Sequence, residues 1–486
     1  MALKIYNSLG RTRQEFKSLE EGVVKMYVCG PTVYDLLHVG NFRGAIFFNL
    51  VRRWLEHLGY KVSFVYNYTD IDDKIIKRAN EEGTDALALS QKYIEEFKAD
   101  FAKLRLSPHD HNPKCSDHMQ DMVDFVSGLI KKGHAYEVEG SVFFSIRSFK
   151  EYGKLSGRNI DELEAGHRVD PDVRKKDPLD FILWKPAKEG EPSWASPWGE
   201  GRPGWHLECS AMNKCMHGDQ IDIHGGGFDL TFPHHENEIA QSEGLTGKTF
   251  ATFWMHNNFI NFGDAKMSKS IGNIVRARDF METYNPEILR FMMLSVHYRS
   301  PLNLSPEQIH QAMAALARIY TTLKNADDIL AQGVEDQNED KVFAKSLKEA
   351  TVKITDALND DFNTPVMMAS IFDIVRQFNE GYKPGKEANP VLNFKATAFK
   401  EWLRDIGKLS ALFQENAAAF LKSLDTILIR EKNIDVALVE QLIKDRNQAR
   451  ADKDFTKADE YRDALVELDI LLQDTADGTI WEVKKT

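Results

Sequence analysis

Four side chains in this sequence could bind one metal ion. His234 and Glu238 are four residues apart in a segment predicted to be helical, so both project from the same face. Cys209 precedes that segment, and Cys29 ends the first predicted strand at the same edge of the sheet. Two thiolates, an imidazole and a carboxylate form a donor set that suits tetrahedral zinc. We therefore predict Cys29, Cys209, His234 and Glu238 as zinc ligands.

Other potential ligands lie close by in the sequence, and each predicted ligand also has a simpler interpretation. The nearby residues are Cys215, His206, His224, His235 and Glu236. We expect His235 and Glu236 to point to other helix faces and Cys215 to lie in a buried helix. A single cysteine is more often a small core residue, and a His–Glu pair is more often an ordinary helix contact. A purely structural zinc, closed by four protein ligands, is a further alternative.

Residues 38–41, with the sequence HVGN, are predicted to lie at the start of a helix. Unpaired backbone N–H groups and the helix dipole favour anions at such a position. The side chains of His38 and Asn41 can donate hydrogen bonds to phosphate oxygens, and Gly40 allows a nucleotide to approach the backbone. These residues therefore form a candidate phosphate site.

A second segment, KMSKS at residues 266–270, offers two ammonium groups and two hydroxyls on a glycine-flanked loop. Lys266 and Lys269 could neutralise the charge that develops during attack at phosphorus. A solvated basic loop is the alternative interpretation.

A predicted strand–helix–strand unit positions these candidates. Residues 23–29 form a short apolar run typical of a buried strand, and the apolar residues from 47 to 58 recur at helical spacing. Gly59 is expected to cap this helix in the left-handed conformation, and a strand follows at residues 62–66. This order predicts parallel strands, whose ligands bind beyond the carboxyl ends.

Farther along the chain, a strand at 221–223, a glycine turn at 225–227 and a helix entered through Pro233 are expected. The proline- and glycine-rich stretch before residue 203 predicts an irregular insertion at about 120–200. Residues 306–414 are almost wholly helical in pattern. Two more helices, at 435–450 and 455–468, and a hairpin through Asp477-Gly478 complete a C-terminal module.

The C-terminal module contains a possible nucleic-acid surface. The residues Arg446, Arg450, Lys453 and Lys457 would form a continuous basic stripe if the helix persisted. Trp481 could stack on an unpaired base. An exposed helix with internal salt bridges and a core tryptophan are the respective alternatives.

Composition excludes several classes of protein. The chain has 486 residues, a net charge of −12 and 28% charged residues, which rules out a protein that coats DNA through its overall charge. No segment approaches the roughly 20 apolar residues of a membrane span, so no membrane association is expected. Four scattered cysteines and an N-terminus without a signal peptide indicate a reduced, cytoplasmic protein.

Several motifs together resemble one enzyme family. HVGN and KMSKS are similar to the two signatures of class I aminoacyl-tRNA synthetases, and CGPTVYD, YTDIDDK, GWHLECSAM and DIHGGGFDLTFPHHENEIAQSE resemble cysteinyl-tRNA synthetases. The resemblance spans the chain, including ARADKDFTKADEYRDAL and DTADGTIWEV. It implies an α/β fold in which a Rossmann-type parallel-sheet catalytic domain (1–120 and 200–260) is split by a connective insertion (121–199). A stem-contact region with the KMSKS loop (261–310), an α-helical bundle (311–410) and a small α+β anticodon-binding domain (411–486) would follow.

The same resemblance implies roles for individual residues. The family's zinc ligands fall on the four side chains already predicted, and Lys269 matches the ATP-contacting lysine of a mobile loop. The residues that match the amino-acid pocket are Gly30, Thr32, Thr69, Trp205, His224 and Asp229. The first signature departs from its commonest form, because Asn41 replaces a second histidine and cannot carry a proton's charge.

The resemblance implies a cysteine–tRNA ligase that uses Mg²⁺-bound ATP, one Zn²⁺, L-cysteine and cysteine tRNA, acting as a monomer. Cysteine would first be activated as an adenylate and then transferred to the tRNA 3′ end, with His38, Asn41, Lys266 and Lys269 stabilising charge. Zinc would bind the substrate thiolate and exclude serine. The alternatives are a cysteine-activating ligase that uses an amino-sugar acceptor and a non-catalytic, zinc-dependent RNA-binding protein.

Overall fold

The computed structural model describes residues 2–160, 172–262, 265–266, 275–334, 338–380, 382, 387–475 and 478–485. The chain divides into two compact units. The first contains Met1–Arg278, Val296–Leu302 and Thr355–Val366, and the second contains Asp279–Ser295, Asn303–Ile354 and Met367–Thr486.

A four-stranded parallel sheet organises the first unit. Its strands, in spatial order, are β10 (Ala251–Asn257), β9 (Ile221–Gly227), β3 (Val23–Val28) and β4 (Lys61–Tyr66). Helix α1 (Asn41–His57) connects β3 to β4, which confirms the predicted strand–helix–strand unit. Gly59 adopts a φ of 95°, as predicted for the residue that ends this helix.

The predicted glycine turn at 225–227 is wrong, because these glycines belong to strand β9. A Cβ atom at Gly225 would lie 2.3 Å from Cζ of Phe48 in α1. Glycine therefore serves here to let the helix lie close over the strand, and the sequence pattern does not distinguish that use from a turn.

The remaining elements of the first unit surround this sheet. The strands are β1 (Lys4–Asn7), β2 (Thr12–Glu15), β5 (Ala135–Val138), β6 (Ser141–Phe144), β7 (Phe181–Pro186), β8 (Gly201–Pro203), β11 (Ile260–Phe262) and β12 (Ala265–Lys266). The helices are α2 (Asp73–Glu82), α3 (Ala86–Lys103), α4 (Met119–Lys131), α5 (Trp205–His217) and α6 (His234–Thr246). The helix predicted to be entered through Pro233 is thus confirmed as α6.

The segment expected to be an irregular insertion contains regular structure. Strands β5, β6, β7 and β8 form an antiparallel sheet that the chain inserts between β4 and β9. Trp184 of β7 is fully buried in the same core as Val126 of α4, Ile239 of α6 and Trp254 of β10. The prolines and glycines of this segment therefore interrupt a sheet without preventing it.

The second unit is mainly helical, as the pattern predicts. Its elements, some of which begin or end in the first unit, are α7 (Ala277–Thr283), α8 (Pro286–Ser295), β13 (Leu302–Asn303), α9 (Pro306–Leu330), α10 (Lys341–Asn359), α11 (Thr364–Glu380), α12 (Pro390–Ser410), α13 (Ala417–Glu431), α14 (Val436–Ala451), α15 (Phe455–Glu467), β14 (Ile470–Thr475) and β15 (Gly478–Val483). Strands β14 and β15 pair antiparallel, which confirms the predicted hairpin; its turn residue Asp477 lies outside the described residues.

A buried carboxylate joins helices of the second unit. Glu287 of α8 is fully buried and accepts hydrogen bonds from the Tyr320 hydroxyl at 2.9 Å and the Phe413 backbone N–H at 2.8 Å. The ring of Tyr320 stacks on Phe420 with centroids 3.9 Å apart. Helix α13, which carries Phe420, is therefore part of the helical core of this unit.

Candidate active site

The four predicted metal ligands meet at one point. The ligand atoms of Cys29, Cys209, His234 and Glu238 all lie within 4.8 Å of one another. The Cys29 Sγ atom is 3.5 Å from both Cys209 Sγ and Glu238 Oε1, and His234 Nε2 is 3.2 Å from the same carboxylate oxygen. This set of sulfur, nitrogen and oxygen donors fits a zinc ion.

Three elements bring these side chains together. Cys29 directly follows β3, and Cys209 lies in α5. His234 and Glu238 lie one turn apart at the start of α6, where the preceding residue Pro233 is the N-cap. The strand end and the two helices therefore supply ligands to a common centre, as the topology of a parallel sheet predicts.

Burial controls the protonation of this centre. Desolvation, together with the neighbouring Cys209 thiol, raises the pKa of Cys29 well above its usual value. Burial lowers the pKa of His234 to about 3, so its imidazole is neutral at physiological pH. Burial opposes ionisation of Glu238, but His224 and His234 lower its pKa below the usual value. A neutral imidazole and an ionised carboxylate are the forms that bind a metal.

Two further histidines hold the ligands in place. His224 Nε2 lies 2.8 Å from Glu238 Oε2, so the two oxygens of this carboxylate face different groups. His206 Nδ1 lies 3.0 Å from His234 Nδ1, which leaves the Nε2 atom of His234 facing the centre. Such outer contacts fix the orientation of metal ligands. From the sequence, no role is predicted for His206. Its position three residues before Cys209 places both side chains on the same face of one helix, and this spacing could have indicated its contact with the centre.

Two expectations about neighbouring residues are wrong. His235 was expected to face away, yet its Nε2 atom lies 3.9 Å from Glu238 Oε1, and Cys29, His224, His235 and Glu238 form a second possible ligand group. Cys215 was expected to be buried but is exposed near the end of α5. The contacts of Glu238 favour the ligand set with Cys209 and His234 over the set with His224 and His235. Glu238 Oε2 is already in contact with His224, while Oε1 faces Cys29 and His234.

A cavity of about 480 Å³ opens beside this centre. The predicted residues that line it are Cys29, Gly30, Thr32, His38, Gly40, Asn41, Trp205 and Asp229. Trp205 stacks on His234, with ring centroids 4.4 Å apart. One cavity is therefore lined by Cys29 of the candidate metal centre, by three residues of the HVGN segment and by four of the six residues predicted for the amino-acid pocket.

Two residues predicted for the amino-acid pocket are instead buried against carboxylates. Thr69 is 2% exposed, and its hydroxyl donates to Glu208 at 2.7 Å. His224 is fully buried and contacts Glu238. Neither residue is among those that line the cavity, and their part in binding the amino acid stays a prediction.

Close packing explains a glycine next to Cys29. A Cβ atom at Gly30 would lie 1.7 Å from the Asn67 carbonyl oxygen. The Gly30 N–H also donates to the Asn67 side chain at 2.9 Å. Only glycine allows the chain to pass so close to the end of β4.

The backbone N–H groups at the start of α1 were predicted to be unpaired, but three of them form hydrogen bonds within the chain. The backbone N–H groups of Asn41, Phe42 and Arg43 donate to carbonyl oxygens three residues earlier. The Asn41 side-chain oxygen accepts a hydrogen bond from the His38 backbone N–H at 3.1 Å. Recognition of an anion at this helix start must therefore rely on side chains and the helix dipole more than on free backbone donors.

The backbone on both sides of the KMSKS segment is held near the cavity. Lys266 is in β12, whose partner strand β11 follows Phe259 of the cavity wall. On the other side, Arg276 forms an antiparallel bridge with His38, and the Val39 N–H donates to the Val275 carbonyl at 3.0 Å. Residues 267–274, including Lys269, lie outside the described residues.

The predicted continuous basic stripe in the second unit is wrong. Helix α14 ends at Ala451, and Lys453 has a φ of 62°. Arg446 is 8% exposed and donates two hydrogen bonds of 2.9 Å to Asp474, a carboxylate that Arg450 also contacts. The alternative of a salt-bridged helix describes these two arginines better, and Trp481 is half-buried in β15.

Three models of known protein families match successive parts of this chain. Residues 15–314 match the model of the class I tRNA synthetase (C) catalytic domain, 353–414 match the DALR domain, and 436–481 match the cysteinyl-tRNA ligase anticodon-binding domain. The cysteine–tRNA ligase of Bdellovibrio bacteriovorus is 54% identical over 99% of this chain and 100% of its own length. The chain belongs to the cysteine–tRNA ligase family. It is thus an ATP-dependent aminoacyl-tRNA ligase.

Other relatives agree with this assignment. The cysteine–tRNA ligase of Geobacter metallireducens is 46% identical over the full length of both chains. Among solved structures, Mycobacterium tuberculosis methionyl-tRNA synthetase in complex with methionyl-adenylate has a TM-score of 0.62 at 15% identity, covering 82% of this chain and 93% of that one. This likeness confirms the class I synthetase fold. Within the described residues, no helix has the length and apolar character needed to cross a bilayer.

Proposed function

We propose that this cysteine–tRNA ligase recognises its amino acid through a zinc ion bound by Cys29, Cys209, His234 and Glu238. The observation that carries the proposal is the position of Cys29, which belongs both to the ligand cluster and to the cavity wall. An ion held there faces the space where the substrate would lie. When bound, zinc would lower the pKa of the substrate thiol and bind the thiolate, which serine does not offer.

The residues of the cavity have separate tasks in cysteine activation. The Asp229 carboxylate lines the cavity and would bind the substrate ammonium group, while Trp205 covers His234. The contact between Asp229 and the ammonium group, with Trp205 as part of the cavity wall, would orient the substrate so that its carboxylate can attack the α-phosphorus of Mg²⁺-bound ATP. No protein nucleophile is needed, because positioning and charge stabilisation suffice for such a reaction.

The phosphate groups would be bound by the HVGN and KMSKS segments. His38 and Asn41 line the cavity, and Lys266 follows the cavity-lining residue Ile260 by six residues. We assign Lys266 and Lys269 to neutralising the negative charge that accumulates on the phosphates as pyrophosphate leaves. Gly40 would leave room for the nucleotide beside His38.

Transfer of cysteine to the tRNA 3′ end would require the second unit to bind the tRNA. Lys453 and Lys457 remain candidates for phosphate contacts, and Arg450 could exchange Asp474 for a phosphate. Both terminal nitrogens of the Arg446 guanidinium donate to Asp474, so Arg446 would position this carboxylate instead of contacting the tRNA. Trp481 would stack on an unpaired base.

We further propose that the protein acts as a cytoplasmic monomer.

Substituting one ligand tests the metal assignment. We expect Cys209→Ser to lower the zinc content well below one ion per chain and to reduce cysteine-dependent ATP–pyrophosphate exchange at least about 100-fold. Cys115→Ala is the matched control, because Cys115 is equally buried but lies outside the ligand cluster. Equal zinc content in the two variants would contradict the assignment.

X-ray absorption at the zinc edge tests how the ion is used. We expect L-cysteine to add one sulfur ligand to the two supplied by Cys29 and Cys209, and L-serine to leave the spectrum unchanged. A spectrum that does not respond to L-cysteine would instead indicate a structural ion. Exchange without aminoacylation of cysteine tRNA would favour a small-molecule acceptor.

A further inference from the structure

A further group of side chains that could bind a metal ion lies outside the cavity of the candidate active site. The ligand atoms of His118, Asp121 and Cys215 all lie within 4.8 Å of one another, and His118 Nδ1 is 2.8 Å from Asp121 Oδ2. None of the three belongs to the catalytic cluster or its cavity. An imidazole, a carboxylate and a thiol together form a donor set that favours zinc over magnesium or calcium.

Two helix ends position this group. His118 ends the 3-10 turn Cys115–His118 and caps α4, whose first turn carries Asp121. Cys215 lies in the last turn of α5, which packs against α4. The side chain of His118 is 13% exposed, that of Asp121 is 47% exposed, and Cys215 is exposed, so an ion can reach all three from solvent.

The local charge favours a cation. The C-terminal end of α5 has the negative end of the helix dipole. The nearest lysine in the sequence, Lys214, has its ammonium group 2.5 Å from the Asp219 carboxylate, which neutralises it. Asp117 and Asp124 add negative charge on the α4 side, partly offset by Lys114 at 3.4 Å from Asp117.

We propose that His118, Asp121 and Cys215 form a second, surface binding site for a zinc-like divalent cation. The ligands would be His118 Nδ1, one Asp121 oxygen and Cys215 Sγ, with solvent completing the tetrahedron. Binding releases the thiol proton to solvent, and any proton on His118 Nδ1 moves through solvent to Nε2. The hydrogen bond between His118 and Asp121 is replaced by two bonds to the ion.

This site is separate from the catalytic centre but shares a helix with it. Cys215 follows Cys209 by six residues, which is about 9 Å along the axis of α5. An ion would tie the end of α5 to the start of α4 and stabilise the packing of these helices. We therefore expect the ion to raise the melting temperature while leaving cysteine activation unchanged.

Cobalt provides the probe for this site. Zinc-loaded protein is titrated with Co²⁺, whose charge-transfer absorption in the near ultraviolet reports a thiolate ligand. We expect one saturable cobalt ion per chain in addition to the resident zinc, with this absorption and a rise in melting temperature. Cys215→Ser should abolish the absorption, and His118→Gln should weaken cobalt binding at least about tenfold.

The control variant is Asp117→Asn, which removes a nearby charge without removing a ligand, so it should weaken cobalt binding much less than His118→Gln and keep the near-ultraviolet absorption. The proposal is overturned if zinc-loaded protein binds no extra cobalt or if the absorption persists in Cys215→Ser, which would place cobalt on Cys29 and Cys209. ATP–pyrophosphate exchange by Cys215→Ser should equal that of the wild type. Failure of this site would thus leave the catalytic proposal untouched.

Discussion

The carboxylate of Glu238 shows how single residues build the candidate metal centre. Its Oε1 atom faces Cys29 and His234, while its Oε2 atom is held by His224 at 2.8 Å. His234 likewise faces the centre with its Nε2 atom and contacts His206 with its Nδ1 atom. These two candidate ligands are therefore oriented in the absence of a metal, which reduces the entropy lost on binding.

Removing the contact between His206 and His234 should weaken metal binding without removing a ligand. We expect His206→Phe, which keeps a ring beside Trp205 but has no nitrogen, to lower zinc affinity about 10- to 100-fold. His206→Gln keeps a polar group and should lose less. Competition with a zinc chelator measures both affinities, and equal affinity of His206→Phe and wild type would show that the contact is dispensable.

At the scale of elements, a segment without regular structure completes the edge of the parallel sheet. The N–H groups of Tyr66 and Tyr68 donate to the carbonyls of His111 and Pro113, so this segment runs beside β4. His109 lies in the same segment and stacks on Tyr66 with centroids 4.5 Å apart. This segment contains Pro108 and Pro113, so prolines lie where a chain segment pairs with the sheet edge without forming a helix.

Burial of His109 predicts a pH dependence of stability. Desolvation, with Arg52 nearby, lowers its pKa from 6.5 to about 4. Below pH 6.5 the His109 imidazole binds a proton in the unfolded chain but not in the folded one. The free energy of unfolding is therefore unaffected by His109 above that pH and decreases as the pH falls towards 4. The loss has an upper limit of about 1.4 kcal/mol per pH unit.

Calorimetric scans between pH 7 and pH 4 measure this effect. We expect His109→Phe, which keeps an aromatic ring against Tyr66, to show a smaller drop in melting temperature than the wild type. The comparison of slopes cancels the titration of all other groups. Identical slopes in the two proteins would mean that His109 does not contribute.

At the scale of the whole molecule, the packing of the second unit shows where the C-terminal module can be removed. Helix α13 packs on α9 through Phe420 and Tyr320, and Asp425 of α13 accepts a hydrogen bond from the Val483 N–H of β15 at 3.0 Å. The sequence-based boundary at 411 would remove α13 together with the module. A cut after Glu431 retains it.

Two truncations separate tRNA binding from stability. The chain ending at Glu431 should keep cysteine-dependent ATP–pyrophosphate exchange within a few-fold while aminoacylation falls at least about tenfold, because phosphate contacts are lost. The chain ending at Ser410 exposes the buried face of α9 and should also lose thermal stability. Equal loss of exchange and aminoacylation in the longer truncation would mean that the module only supports the fold.

Much of the catalytic site is determined by local sequence. The apolar run before Cys29, the helical spacing after it and the four-residue interval between His234 and Glu238 depend on the geometry of strands and helices alone. The motifs also identified the family, which the comparisons confirm. The five-part domain division and the individual residue roles stay predictions.

The tertiary structure decided how distant parts meet. That His206 contacts His234, that His224 holds Glu238 and that Asp474 binds Arg446 depends on the packing of separate elements. The same holds for the glycines of β9, whose need for space comes from α1. Residue spacing along one helix is set by its pitch, whereas contacts between elements depend on the packed core, which no local pattern encodes.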